Sequence, residues 1–119
     1  MAKVILDTNF LVVPFTHAFS LDVEMQRIIP ETIEYMVLDA SLREAQSLQQ
    51  EKLIQTFIKH KNITVIQTNK TYADKAILAY CKKNPDVYVA TQDAKLRASL
   101  KQLGIRVIFV RSKTHLEVE

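Results

Sequence analysis

Val4-Ile5-Leu6-Asp7-Thr8-Asn9 decides the fold of this chain. Three aliphatic residues in a row, apolar on both faces, suit a central parallel strand covered by helices on each side. The run stops at a carboxylate and two more small polar residues. In open α/β sheets the carboxyl ends of the strands form the edge at which ligands bind. Asp7 is therefore placed for chemistry. Capping a following helix is its ordinary alternative, and the rest of the chain has to choose.

Working outward, residues 33–38, 63–66, 87–90 and 107–110 are four further apolar runs of strand length. Helical patterns separate them. Residues 9–16 are very apolar, and Pro14 shortens or kinks any helix there. Ser20 caps a helix to about Ile29, with Asp22 and Glu24 in its first turn and Pro30 beyond it. Asp39 or Ser41 opens a helix that includes Leu42, Ala45 and Leu48. A further stretch puts Leu53, Ile54, Phe57 and Ile58 on one stripe. Thr71 is the expected cap of a helix whose Ala73, Ala76, Ile77, Tyr80 and Cys81 share a face. After Asp93 a helix buries Leu96, Leu100 and Leu103, and Gly104 stands where a left-handed C-terminal cap belongs. Residues 111–119 read as a polar tail. Strand–helix alternation predicts βαβ units, hence a three-layer α/β/α sandwich around a five-stranded parallel sheet. At 119 residues, one domain over residues 1–119 is expected.

Composition narrows the class. Apolar residues make up 48% and charged residues 24%, ordinary for a soluble globular protein. The single cysteine, Cys81, excludes an internal disulfide and a cysteine-rich zinc site. With no apolar run near the ~20 residues needed to span a bilayer and no secretion signal, a cytoplasmic protein is expected. The net charge of +3 is mildly basic. Its distribution says more: from Ala94 to Leu116 there is no acid, while Lys95, Arg97, Lys101, Arg106, Arg111 and Lys113 all fall there. Such an end suggests a polyanionic partner. Lys95, Arg97 and Lys101, on the helix that starts at Asp93, are expected to form a basic stripe for phosphates.

Four acids are candidates for one site. Asp7 follows the first strand and Asp93 the fourth. Glu44 and Asp74 lie in helices that follow strands, at the margins of buried faces on a helical wheel. Taken singly, a helix-dipole position for Asp74, and for Glu44 an ion pair with a Lys or Arg one turn away or simple exposure, are sufficient accounts. Jointly, four acids at successive strand-to-helix passages can converge. Like charges so gathered raise each other's pKa and repel. A hard divalent cation, Mg²⁺ or Mn²⁺, resolves this with oxygen ligands, and no His-x-x-x-His or Cys-x-x-Cys pair favours zinc. That chemistry suits phosphodiester hydrolysis.

These residues resemble a known family. Val4-Ile5-Leu6-Asp7-Thr8-Asn9, Glu44, Asp74-Lys75-Ala76-Ile77 and Val89-Ala90-Thr91-Gln92-Asp93 are similar to the PIN-domain nucleases. The archaeal branch of Fcf1 and VapC-like proteins is nearest in flavour, and residues 104–111 also look like it. The resemblance implies a sheet of order 3-2-1-4-5. It places Asp7, Glu44, Asp74 and Asp93 on the family's acidic positions, and Asn9 and Thr91 on its supporting polar positions. It implies a Mg²⁺- or Mn²⁺-dependent ribonuclease, toxin-like or RNA-processing, acting on RNA. Homodimers are common in the family, and an antitoxin or a ribosome-processing factor is the implied partner. Lys75 is a departure: relatives often carry a second acid there. On the wheel it points away from the site.

Other classes fit less well. A receiver-type phosphoacceptor wants a pair of acids after its first strand, and Asp7-Thr8-Asn9 offers one. A haloacid-dehalogenase-like phosphatase wants Asp-x-Asp, and Asn9 holds the second place. The remaining alternative is a PIN-like module that binds RNA or protein without cutting. His17, His60 and His115 are scattered and read as surface or loop residues.

Overall fold

Val4, Ile5 and Leu6 are each 0% exposed, as expected of a strand covered on both faces. They belong to β1 (Ala2–Leu6), at the centre of the sheet. This computed structural model describes residues 1–13, 17, 19–45 and 51–119, apart from the side chains of residues 51, 53 and 60. The other strands are β2 (Ile33–Leu38), β3 (Thr64–Ile66), β4 (Tyr88–Ala90), β5 (Arg106–Arg111) and β6 (His115–Val118). Their order is β3-β2-β1-β4-β5-β6. The first five are parallel, and β6 runs antiparallel to β5.

Alternation along the strands builds the layers. Val4 and Leu6 of β1 and Val37 of β2 pack in one cluster with Phe10, Met25 and Ile54. Ile5, Met36 and Leu38 pack in the other, with Ile77, Cys81 and Leu100. The first layer comprises the 3-10 helix (Thr8–Val12), α1 (Leu21–Ile28) and α3 (Glu51–His60). The second holds α4 (Ala73–Lys83) and α5 (Ala94–Gln102), while the short α2 (Asp39–Ala45) follows β2 directly. Cys81 is core, and burial pushes its thiol up to about 12. No helix among the described residues is long and apolar enough to cross a membrane.

The sheet has six strands, not five. Beyond Arg111 the chain makes a turn and returns as β6 rather than ending in a tail. Leu116 is fully buried, and Glu119 exchanges two backbone hydrogen bonds with Val107. The residues of the turn do not announce it, because Ser112 and Lys113 adopt φ of 55° and 60°. That is the left-handed pair of a type I′ turn, which Asn-Gly usually marks.

Helix ends bring smaller corrections. Ser20 caps α1 as expected, its hydroxyl accepting from the Val23 N–H. Gly104 has φ +75°, as a left-handed cap requires. Thr71 does not cap α4; Tyr72 occupies that position, and its side chain makes no capping bond. Leu103 is 38% exposed because it lies past the end of α5, at the C-cap. Pro14, residues 15–16, Leu48 and the side chain of Leu53 lie outside the description.

Candidate active site

β1 has β2 on one side and β4 on the other, so strand order reverses beside it. A crevice opens at the carboxyl ends of such a pair. Leu6 pairs with Ala90, and the Asp7 N–H extends the ladder to Ala90 O at 3.0 Å. Asp7 makes two hydrogen bonds there. Its Oδ1 accepts from the Thr8 N–H at 2.8 Å and caps the 3-10 helix. Its Oδ2 accepts from the Thr91 hydroxyl at 2.7 Å. The residue is only 6% exposed, and burial is the main reason its pKa is raised. The Thr91 and Thr8 hydrogen bonds oppose that shift, while the charges of Glu44 and Asp93 add to it.

The other acids arrive from three helices. Asp93 caps α5, with Oδ1 accepting from the N–H groups of Lys95 at 2.9 Å and Leu96 at 3.2 Å. Its own N–H donates to the Thr91 hydroxyl oxygen at 3.1 Å. Glu44, on α2, accepts from the Thr8 hydroxyl at 3.1 Å and from the Ala73 N–H at 3.2 Å. It thereby supplies the cap that Tyr72 lacks. Asp74, in the first turn of α4, accepts from the Lys75 N–H at 2.8 Å. Asn9 Oδ1 accepts from the Gln92 N–H at 3.3 Å, tying the two strand-end loops together.

Asp7, Glu44, Asp74 and Asp93 line one cleft of about 520 Å³, with Asn9 beside them. Thr8, Val12 and Ala73 fill the wall between. Thr91 stands behind Asp7, fully buried. Lys75 is not in the wall; its ammonium lies 5.5 Å from the centre of the Tyr72 ring. The donor set is all oxygen, which fits a hard divalent cation. Yet among the described residues no three His, Cys, Asp or Glu side chains are close enough to hold one ion as placed. Convergence on one cleft is seen; a ready-made cage is not. The acids are turned toward backbone N–H groups, and their mutual repulsion opposes closer approach.

The expected basic stripe is not one stripe. Lys95 and Arg97, two residues apart, lie about 160° apart around a helix. The Arg97 guanidinium sits 4.0 Å over the Phe109 ring and pairs with Glu119 at 2.9 Å. Lys101 lies 3.7 Å from the same carboxylate. Of the three, Lys95 alone carries no ion pair among the described residues.

Two residues of the site's framework do not stand out in the sequence. Thr8 joins β1 to Glu44, as above. Asp39 ends β2 as Asp7 ends β1, a parallel masked by its position as a helix opener. It is buried and accepts from the Ala40 N–H, the Thr68 N–H and hydroxyl, and Arg43. Desolvation pushes its pKa up, but those hydrogen bonds outweigh it and bring the carboxyl to about 2. Arg43 also donates to Lys70 O at 2.8 Å, so the pair clamps α2 to the loop that leads into α4.

A family model described as "PIN like domain" matches residues 4–113. The chain is 32% identical over 127 residues to Ribonuclease VapC4 of Methanocaldococcus jannaschii, covering 99% of this chain and 97% of that protein. Its fold is similar to a solved structure described as the PIN domain endonuclease Utp24. The TM-score is 0.85 at 22% identity, over 98% of this chain and 90% of that one. Model coverage and identity agree with the topology above, and the chain belongs to the PIN-like domain family.

Proposed function

We propose that this chain is a Mg²⁺- or Mn²⁺-dependent endoribonuclease that hydrolyses RNA phosphodiester bonds at the cleft of Asp7, Glu44, Asp74 and Asp93. One observation carries the reading: four acids from four separate strand-to-helix passages line one cleft. The ribonuclease name of the 32% identical relative supports it. The four carboxylates would hold the cation, which when bound polarises the phosphoryl oxygen and activates water. The chain's own residues prepare the place. Thr91 and Thr8 hold the two oxygens of Asp7 in fixed directions. Glu44 is held between the Thr8 hydroxyl and the start of α4. Asp74 and Asp93 are exposed, open to ligand from solvent. Asn9 keeps the β4 loop against the first loop, so Asp7 and Asp93 stay on one side of the cleft.

The proposal includes a homodimer, and an antitoxin or a ribosome-processing factor as partner; light scattering on purified protein tests the dimer. The cutting activity is tested with a covalently closed RNA circle incubated with Mn²⁺, against an Asp7→Asn control. Linearised circles from wild type alone are the expected result. Intact circles with both proteins, despite measured RNA binding, would favour a module that binds without cutting.

A further inference from the structure

Two cations of α5 differ from those of α4 and the loop before it. Arg97 and Lys101 share one partner, the Glu119 carboxylate. On α4 and in the loop before it, Lys70, Lys75, Lys82 and Lys83 are all exposed. None carries an ion pair among the described residues.

A groove of about 370 Å³ lies along this side. Loop 67–70 forms one wall; Ala76, Ala79, Tyr80 and Lys83 of α4 form the other. Their spacing of three, four and seven residues puts all four on one face of the helix. The lining contains two cations, Lys70 and Lys83, and no acid. Two alanines keep the floor open. Tyr80, half-buried, lines the groove as well, and the amides of Gln67 and Asn69 offer donors to phosphate or sugar. The groove also begins beside the proposed site. Ala73 and Asp74, in the first turn of α4, line the cleft, and Ala76 lines the groove about 4.5 Å further along the axis.

We propose that this groove carries the RNA strand flanking the scissile phosphate, with Lys70 and Lys83 on its phosphates. The inference rests on the nuclease reading above and names the path its substrate takes. A polyanion suits a groove whose lining carries two exposed lysines and no acid, since a nucleic-acid strand brings one negative charge per nucleotide.

The test measures affinity against salt by fluorescence anisotropy, using a labelled single-stranded RNA of mixed sequence in EDTA. Wild type is compared with Lys70→Ala/Lys83→Ala and with Arg97→Ala/Lys101→Ala. For single strands each lost phosphate contact lowers the slope of log K against log salt by ~0.7. The α4 pair should therefore flatten it by ~1.4 and weaken binding to all sequences alike, while the α5 pair leaves the slope unchanged. A wild-type slope in the α4 variant overturns the channel. If that variant still cleaves as wild type, the nuclease reading survives without it. A wild type that neither binds nor cuts RNA overturns both. Loss of binding to a poly-glutamate peptide, with RNA binding intact, overturns the channel in favour of an acidic protein partner.

Discussion

The Thr91 hydroxyl donates to Asp7 Oδ2 at 2.7 Å while its oxygen accepts from the Asp93 N–H at 3.1 Å. One fully buried side chain thus links the ends of the first and fourth strands and two acids of the cleft. The bond favours the charged form of Asp7. Thr91→Val should raise the Asp7 pKa further and destabilise the protein at neutral pH by about 1.5–3 kcal/mol, the usual worth of a hydrogen bond to a charged group. Carbon-13 titration of the carboxylate checks the first effect, and urea unfolding the second. An unmoved pKa would show that the bond holds geometry only.

Asp7 itself opposes folding at neutral pH without metal. Its folded pKa lies above the unfolded value of 3.8, mainly through burial. The folded state then binds the proton more tightly than the unfolded state, and stability falls as pH rises through the raised pKa. Asp7→Asn should remove that loss and raise stability at pH 7, by about 1.4 kcal/mol for each tenfold difference in proton affinity between the two states. Unfolding in EDTA at a series of pH values measures it. A wild type that gains stability over this window, with the Asp7→Asn variant unchanged, contradicts the prediction.

Asp39 should show the opposite slope. Its carboxyl is lowered to about 2 by hydrogen bonds from Thr68, Arg43 and Ala40 that outweigh desolvation. The unfolded state binds protons first as pH falls, so this contribution is present above about 4 and lost on the way down to about 2. Asp39→Asn should be less stable than wild type at pH 7, with the difference shrinking toward pH 2. Thermal melts across that range decide it, and a constant difference would sink the idea.

Glu44 has two jobs that substitution can separate. Its Oε1 caps α4 at the Ala73 N–H, a role glutamine can keep. Glu44→Ala should cost about 1 kcal/mol, the usual worth of a cap, whereas Glu44→Gln should cost much less. On the nuclease proposal both should cut RNA more slowly than wild type, because both remove the Glu44 charge. Tyr72→Ser added to Glu44→Ala should restore stability through a local cap, but not cleavage. Equal stability of the alanine and glutamine variants would remove the capping role.

The β5–β6 turn is strained at residues that carry no turn signal. Lys113 has φ 60°, and a side chain in the left-handed region costs about 1–2 kcal/mol, against about 0.5–1 for the entropy of a glycine. Lys113→Gly should raise stability by roughly 0.5 kcal/mol, measured by urea unfolding. A loss instead would mean that the Lys113 side chain makes a contact worth more than the strain.

Local chemistry carried much of this in the sequence. Five strands, the caps at Ser20 and Gly104, and the core position of Cys81 follow from periodicity and from residues with few backbone options. Four acids could be named because each breaks an apolar pattern at a strand-to-helix passage. What the sequence could not contain is what depends on separation in space. Glu44 caps a helix 29 residues away, and its distance from Ala73 is set by the packing of α2 on α4. Arg97 is a basic residue in any reading, yet β6 brings Glu119 to neutralise it. β6 itself was hidden by a Ser-Lys turn whose left-handed backbone is imposed by the strands it joins. The arrangement of the acids was likewise a tertiary matter. Hydrogen bonds to backbone N–H groups and mutual repulsion decide how near the carboxylates stand, and both arise only once the strands are side by side.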